Sequence, residues 1–239
     1  MTEQHLLPLQ TAQVHHWNRG GFLDPALLRP LYELNRHWLE LLAGPLFGGA
    51  VGPGAGRGDW ERLSPFDRIA MPVAQLEPSL RSAMAHCPVA LFGARFHDGS
   101  YWGRISGLYC IHEPVPRLTS NEPLDDARRA ALAGFASLVF FHAWHVIQLN
   151  PIAARVLFGM SDPVASIFKE VPLPRLQQLA EAHPQTITPR WMERPLFWRM
   201  LLNAVQKGEG YFAEAGILGL HMGAADLMPF AVEDKGRKR

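Results

Sequence analysis

Residues 123–171 read PLDDARRAALAGFASLVFFHAWHVIQLNPIAARVLFGMSDPVASIFKEV. Pro123 to Leu149 is continuous helix-forming sequence, and Ala130 to Leu149 carries no formal charge over 20 residues. Such a run is long enough to cross a bilayer. Yet Ser137, His142, His145 and Gln148 crowd its second half, and polar side chains at that density are costly in hydrocarbon. An all-round apolar helix also sits at the centre of a large core. The run therefore predicts a long central core helix and no membrane span. Asp125 and Asp126 stand at its start, where carboxylates favour the helix N-terminus and need no catalytic role.

The same stretch shows how this chain begins helices. Asn150-Pro151 and Asp162-Pro163 each place a capping side chain before a proline, and Asp24-Pro25, Ser64-Pro65 and Thr188-Pro189 repeat the device. The cap oxygen accepts a first-turn N–H, and proline at the first helical position forfeits no hydrogen bond. Short helices in series follow: Pro25 to Ala43, a stretch from Ser64 broken at Pro72 and Pro78, Pro151 to Phe158, Pro163 to Val171, Pro174 to His183, Pro195 to Lys207 and Tyr211 to Met222. In the first, Leu28, Leu31, Leu34, Trp38, Leu41 and Leu42 share one stripe. Val89 to Phe96 alternates as a strand would and could pair with Ile105 to Ile111 across Asp98-Gly99-Ser100; an irregular connection is the other reading. The expected fold is mostly α, an orthogonal bundle of short Pro-capped helices around the long one, with room for a small β-hairpin near 89–111. The expected divisions are an N-terminal helical segment 1–46, a Gly-rich linker 47–60, a small helical or mixed subdomain 61–120, a helical domain 121–232 and a charged tail 233–239.

Two stretches look alike. Leu80, Ala83, His86-Cys87-Pro88, Arg95-Phe96 and Trp102 run parallel to Leu176, Leu179, His183-Pro184, Arg190-Trp191 and Trp198. Spacings differ by one residue in places, so a duplication and a chance likeness between Pro-capped helices both remain open.

The chain has 239 residues, is 48% hydrophobic and 19% charged, and carries a formal net charge of +1. That composition supports a core and excludes a strongly basic nucleic-acid coat. Two cysteines make neither a disulfide framework nor a four-cysteine zinc site. Met1 to Gln10 lacks the pattern of a secretory leader, and free thiols fit a reducing cytoplasm. Arginine far outnumbers lysine, as in GC-rich bacterial genomes.

Chemistry is sparse. His142 and His145 lie one turn apart on a helix, a spacing for two metal ligands, but no Glu accompanies them as in H-E-x-x-H. They remain weak metal candidates beside packed core histidines. His86, Cys87, Cys110 and His112 lack the gap of a chelating loop. Residues 48–58 lack the Lys-Ser/Thr of a phosphate loop, and Gly159-Met160-Ser161-Asp162-Pro163 has proline where a nucleophile elbow needs glycine. No catalytic residue and no cofactor are expected. More suggestive is the interleaving of aromatic residues with arginine: Arg190, Trp191, Arg194, Phe197 and Trp198, with Arg95 and Trp102. These types are enriched at binding hot spots, and equally fill cores; as contact residues they predict partner binding.

The stretch ARVLFGMSDPVASIFKEVPLPRLQQLAE, within Ala153 to Arg190, resembles the flagellar transcriptional regulator FlhD. The family's "FRLG"-like turn is matched by Val156-Leu157-Phe158-Gly159, and its Leu-Pro…Leu-Ala-Glu segment by Leu173-Pro174 and Leu179-Ala180-Glu181. Leu31-Tyr32-Glu33-Leu34-Asn35 is similar to the family's N-terminal helix, and Arg95-Phe96-His97-Asp98 to its Arg-Phe-Asp ending. The resemblance implies an all-helical, dimerising protein that binds DNA only with its companion FlhC. This chain is much longer, and it lacks the companion's four-cysteine zinc site. The helical pattern from His142 to Trp198 is also similar to cytoplasmic accessory proteins of type III secretion, the SctK/YscK group. The expectation is a non-enzymatic bacterial regulator or adaptor with one or more protein partners, a homo- or hetero-oligomer that meets DNA only within a complex. A secretion accessory and a metal-dependent enzyme using His142 and His145 are the alternatives.

Overall fold

The computed structural model describes residues 24–47, 64–106 and 125–227. Residues 48–60 of the expected linker 47–60, residues 107–111 of the expected strand partner Ile105 to Ile111, Cys110, His112, the Pro-rich loop, the charged tail and Met1 to Gln10 lie outside these residues. Among the described residues the fold is mostly α, with one small two-stranded antiparallel sheet.

Helix α1 spans Pro25–Ala43; the Asp24 carboxylate accepts from the Ala26 N–H at 2.8 Å, as the cap-proline reading requires. Helix α2 spans Asp67–Gln75. Ser64 Oγ accepts from the Asp67 N–H and donates to the Asp67 carboxylate. The expected break at Pro72 is corrected: the helix runs through it to Gln75. Ile69, Ala70 and Val73 are buried on one face, and their packing outweighs the roughly 3 kcal/mol that an interior proline costs. Helix α3 is Pro78–Met84, followed by strand β1 at Phe92–Gly93 and helix α4 at Gly99–Ser106.

The expected hairpin is likewise corrected. Residues 99–106 are helical, and β1 pairs instead with β2, Thr188–Pro189, across most of the chain. Thr188-Pro189 is therefore not a helix start. Its backbone is claimed by the ladder, Phe92 opposite Pro189 and Gly93 opposite Thr188, and the Arg190 N–H donates to Leu91 O at 3.0 Å.

The long helix α5 covers Asp126–Leu149, capped by Asp125. It is long and apolar enough to cross a membrane. Here Leu132, Phe135, Ala136, Val139, Phe140, Ala143, Val146 and Ile147 form a buried stripe at helical spacing, packed on α1 and on the three helices that follow. Those are α6 (Pro151–Phe158), α7 (Asp162–Glu170) and α8 (Leu173–Ala182), then a 3₁₀ turn at Pro184–Thr186 before β2. Asn150 caps α6 through its side chain, and Gly159 ends it with φ +68°. Helices α9 (Pro195–Lys207) and α10 (Glu209–Asp226) complete the described fold.

The likeness is visible in three dimensions, with the expected match of Arg95-Phe96 to Arg190-Trp191 corrected by one residue, Arg95 standing opposite Trp191. β1 and β2 are the two strands of one ladder, and equivalent positions keep a constant separation: Phe92 and Thr188, Arg95 and Trp191, Gly99 and Pro195, Trp102 and Trp198. Among the described residues, Arg95 and Trp191 are the non-glycine residues with positive φ, 51° and 53°. Each sits just after its strand, and each accepts at its carbonyl from the N–H three residues on, Asp98 at 2.8 Å and Arg194 at 2.7 Å. The indole N–H of Trp102 donates to Ala94 O, and that of Trp198 to Arg190 O, in both cases eight residues back. Packing follows the same symmetry. α1 meets α2 and α3 as α5 meets α7 and α8, and α1 and α5 meet each other. α4 crosses to pack on α7 and α8, while α9 crosses to pack on α2 and α3. Two like units thus exchange a helix about a local dyad at the β1–β2 ladder. Among the described residues, 24–47, 64–106 and 125–227 contribute to one contiguous core.

Candidate functional site

The dyad opens on one side into a cleft of about 660 Å³. Arg95, Phe96 and His97 border it from the first unit, and Arg190, Trp191, Glu193 and Arg194 from the second, with Asp226 closing the end. The segments after β1 and β2 place these residues, because the left-handed residue after each strand turns the chain outward before the next helix. Asp226, at the end of α10, accepts from Trp191 Nε1 at 2.6 Å and from Arg194 at 2.9 Å. On the other rim Arg95 lies 3.6 Å from Asp98 and stacks over the Tyr101 ring at 4.6 Å.

The structure divides the residues expected to contact a partner. Arg95, Trp191 and Arg194 reach the cleft; the Arg95 and Arg194 side chains are 52% and 55% exposed. Trp102, Phe197 and Trp198 are buried, at 0%, 3% and 1% exposure, and the expectation that they touch a partner is corrected. Trp102 packs edge-on to Phe168 of the second unit at 4.8 Å, and Phe197 edge-on to Trp191 at 4.6 Å.

Arg190 is also removed from the contact set. It is buried, and its guanidinium donates to Leu157 O at 2.7 Å and Val156 O at 3.4 Å while stacking on Trp191 at 4.2 Å. It caps the C-terminus of α6, where carbonyls are orphaned and the helix dipole favours a cation. Burial lowers its pKa to about 10, opposed by the charge of Asp226, so it stays cationic at neutral pH. Gly159 makes room for it: a Cβ there would lie 2.7 Å from the guanidinium. Gly159→Ala is expected to lower stability by about 1–2 kcal/mol, from the left-handed backbone and this clash. Gly134→Ala, in open space on the exposed face of α5, should raise it by about 0.5–1 kcal/mol. Urea melts of the two variants check the contrast.

The nucleophile and metal candidates fall elsewhere. Cys87 is wholly buried, and burial pushes its thiol up to about 11, so it is protonated at neutral pH. His145 is exposed, whereas His142 turns toward a hollow of about 430 Å³ between α1 and α5 that Glu33, Arg36, His37 and Glu40 also line. Among the described residues no group of three or more His, Cys, Asp or Glu comes together to hold a metal. The buried His142 Nε2 has no hydrogen-bond partner there, and its ring stands edge-on to Phe158 at 5.7 Å.

Desolvation, then His145, lowers the His142 pKa from 6.5 to about 4. The unfolded chain therefore takes up the proton first as pH falls. The contribution of His142 to stability should decline between pH ~6.5 and ~4 by about 3 kcal/mol. His142→Leu should flatten that decline in melts recorded across the range.

Sequence reasoning missed Asp226, the clamp on Trp191 and Arg194, and His97 and Glu193, which line the cleft from the two units. No local signal marks them, since they meet only through the dyad. No family model matches the chain, and no curated protein or solved structure matches it either.

Proposed function

We propose that the protein is a non-enzymatic bacterial regulator or adaptor working by protein–protein contact, a member of a FlhD-like activator complex that meets DNA only together with a companion. The supporting observation is the internal dyad. The resemblance implies a dimerising protein, and this chain carries two like units joined at the β1–β2 ladder. The residues of the resemblance are spread over both units, Leu31 to Asn35 and Arg95-Phe96 in the first, Val156 to Gly159 and Leu173 to Glu181 in the second. Val156 to Gly159 ends α6, Leu173 to Glu181 is α8, and Arg95-Phe96 follows β1 where Trp191-Met192 follows β2. On this reading one chain does alone what the family does with two. The rims of the cleft, through Arg95, Trp191 and Arg194, form the contact surface for the companion.

The test is a mobility-shift assay on flagellar promoter DNA, with and without a co-expressed FlhC-type companion. A shift that needs both proteins is expected, and Arg95→Glu with Arg194→Glu should abolish it in a protein that melts like the parent. No shift in either condition overturns the reading. Co-purification with sorting-platform proteins in its place would support the secretion accessory, and stoichiometric zinc, iron or manganese in the purified protein would support the metal enzyme.

A further inference from the structure

The helices that close the described chain leave apolar surface uncovered. α10 is apolar on nearly every side, yet its buried residues are Ala215, Gly216, Gly219 and Gly223. The glycines bring its backbone down onto the body of the fold: a Cβ at Gly216 would lie 2.9 Å from Pro88, and one at Gly223 3.0 Å from Val156 O. With that face used, Tyr211, Ile217 and Leu218 stand outward at 56%, 54% and 41% exposure, and Leu196 of α9 at 67%. Half of the large exposed apolar residues among those described lie on this helix pair. Between the helices runs a groove of about 460 Å³ with Leu196, Met200, Tyr211 and Leu218 along it. Surface of this kind marks an interaction site.

The charges beside the groove are segregated by helix. α9 exposes Arg199 and Lys207, and α10 exposes Glu209 and Glu214. Among the described residues none of the four forms an ion pair within the chain. A partner helix of one charge sign would satisfy only one border. A second copy turned about a two-fold axis satisfies both, since its acidic α10 faces the basic α9 and its basic α9 faces the acidic α10.

We propose that the α9–α10 face is a self-association surface occupied by a second copy of this chain, two helix pairs packing as a four-helix bundle with an apolar centre and complementary borders. The proposal is independent of the regulatory reading, because the face is not part of the dyad cleft.

Sedimentation of the full chain at increasing concentration tests it. A monomer–dimer equilibrium is expected for the parent, and Leu196→Glu with Leu218→Glu should weaken it at least ~100-fold by placing carboxylates in the apolar centre. Two charge-reversed proteins give the decisive comparison. Arg199→Glu with Lys207→Glu makes both helices acidic, and Glu209→Lys with Glu214→Lys makes both basic. Each alone should be monomeric, and an equimolar mixture should form a heterodimer, more weakly as salt is raised. Circular dichroism melts matching the parent show that each variant is folded. A parent chain that stays monomeric to its solubility limit overturns the proposal, as does a dimer that persists through the leucine pair or through both charge reversals.

Discussion

Trp198→Ala is expected to lose about 3–5 kcal/mol of unfolding free energy, and Trp102→Ala to lose a similar amount. Both rings are at most 1% exposed and sit at equivalent places about the dyad. Each truncation removes a large buried volume where the surrounding rings are held from several helices, so the hole collapses poorly. Trp102 touches Phe96, Phe140 and Phe168, which belong to both units. Truncation also removes the indole donor, leaving Ala94 O or Arg190 O without it. Trp198→Phe, which keeps most of the volume and loses the donor, should cost about 1–3 kcal/mol. Chemical denaturation of the three variants measures these values. A loss below about 1 kcal/mol for both alanine variants would mean that the dyad core is not packed as described. Partner binding by a surviving variant should fall only in proportion to its unfolded fraction, because neither ring reaches the surface.

Asn35→Ala is expected to cost about 3 kcal/mol or more, an unusual penalty for so small a side chain. Asn35 is wholly buried on α1. Its amide nitrogen donates toward Ala85 O at 3.3 Å, Cys87 O at 3.1 Å and Val89 O at 3.0 Å, and its carbonyl accepts from the Leu91 N–H at 2.9 Å. One side chain thus fixes the irregular segment 85–91 that delivers the chain to β1. Without it, several main-chain groups are buried away from water with no replacement. Asn35→Asp should be worse at neutral pH, since a buried carboxylate would face three carbonyl oxygens. Its folded pKa would lie above the unfolded value. The Asp variant should therefore recover stability as pH falls toward 4, where the alanine variant does not. Denaturant midpoints at neutral and acidic pH separate the two, and equal penalties at both would contradict the buried network.

Some of the molecule was legible from short-range signals. The helix from Pro195 to Lys207 has the expected ends, because proline at the first position and Gly208 after the last are local stops. Asp24 and Asn150 cap as their spacing implies, since a cap bond spans only two or three residues. Helix α4 escaped notice because Gly99-Ser100 opens it without a cap-proline pair, and Asp98 supplies the cap from inside what reads as a turn. In the cleft, Arg95 and Arg194 were marked by the aromatics beside them, as the buried Arg190 was, whereas Asp226 had nothing to distinguish it from any helix-end carboxylate.

What the chain alone determined is where helices start and stop and which of their faces are apolar, because capping, proline geometry and the helical period act over a few residues. It also carried an internal likeness that the fold keeps in register at Leu80 and Leu176, Ala83 and Leu179, and Trp102 and Trp198. Only the tertiary structure decided that the two units exchange helices, that β1 finds β2, and that Trp198 and Arg190 lie inside while Arg194 lies outside. A two-residue strand has no periodicity to read, and tryptophan and arginine serve cores and surfaces alike. Their fate is set by what packs on them from far along the chain.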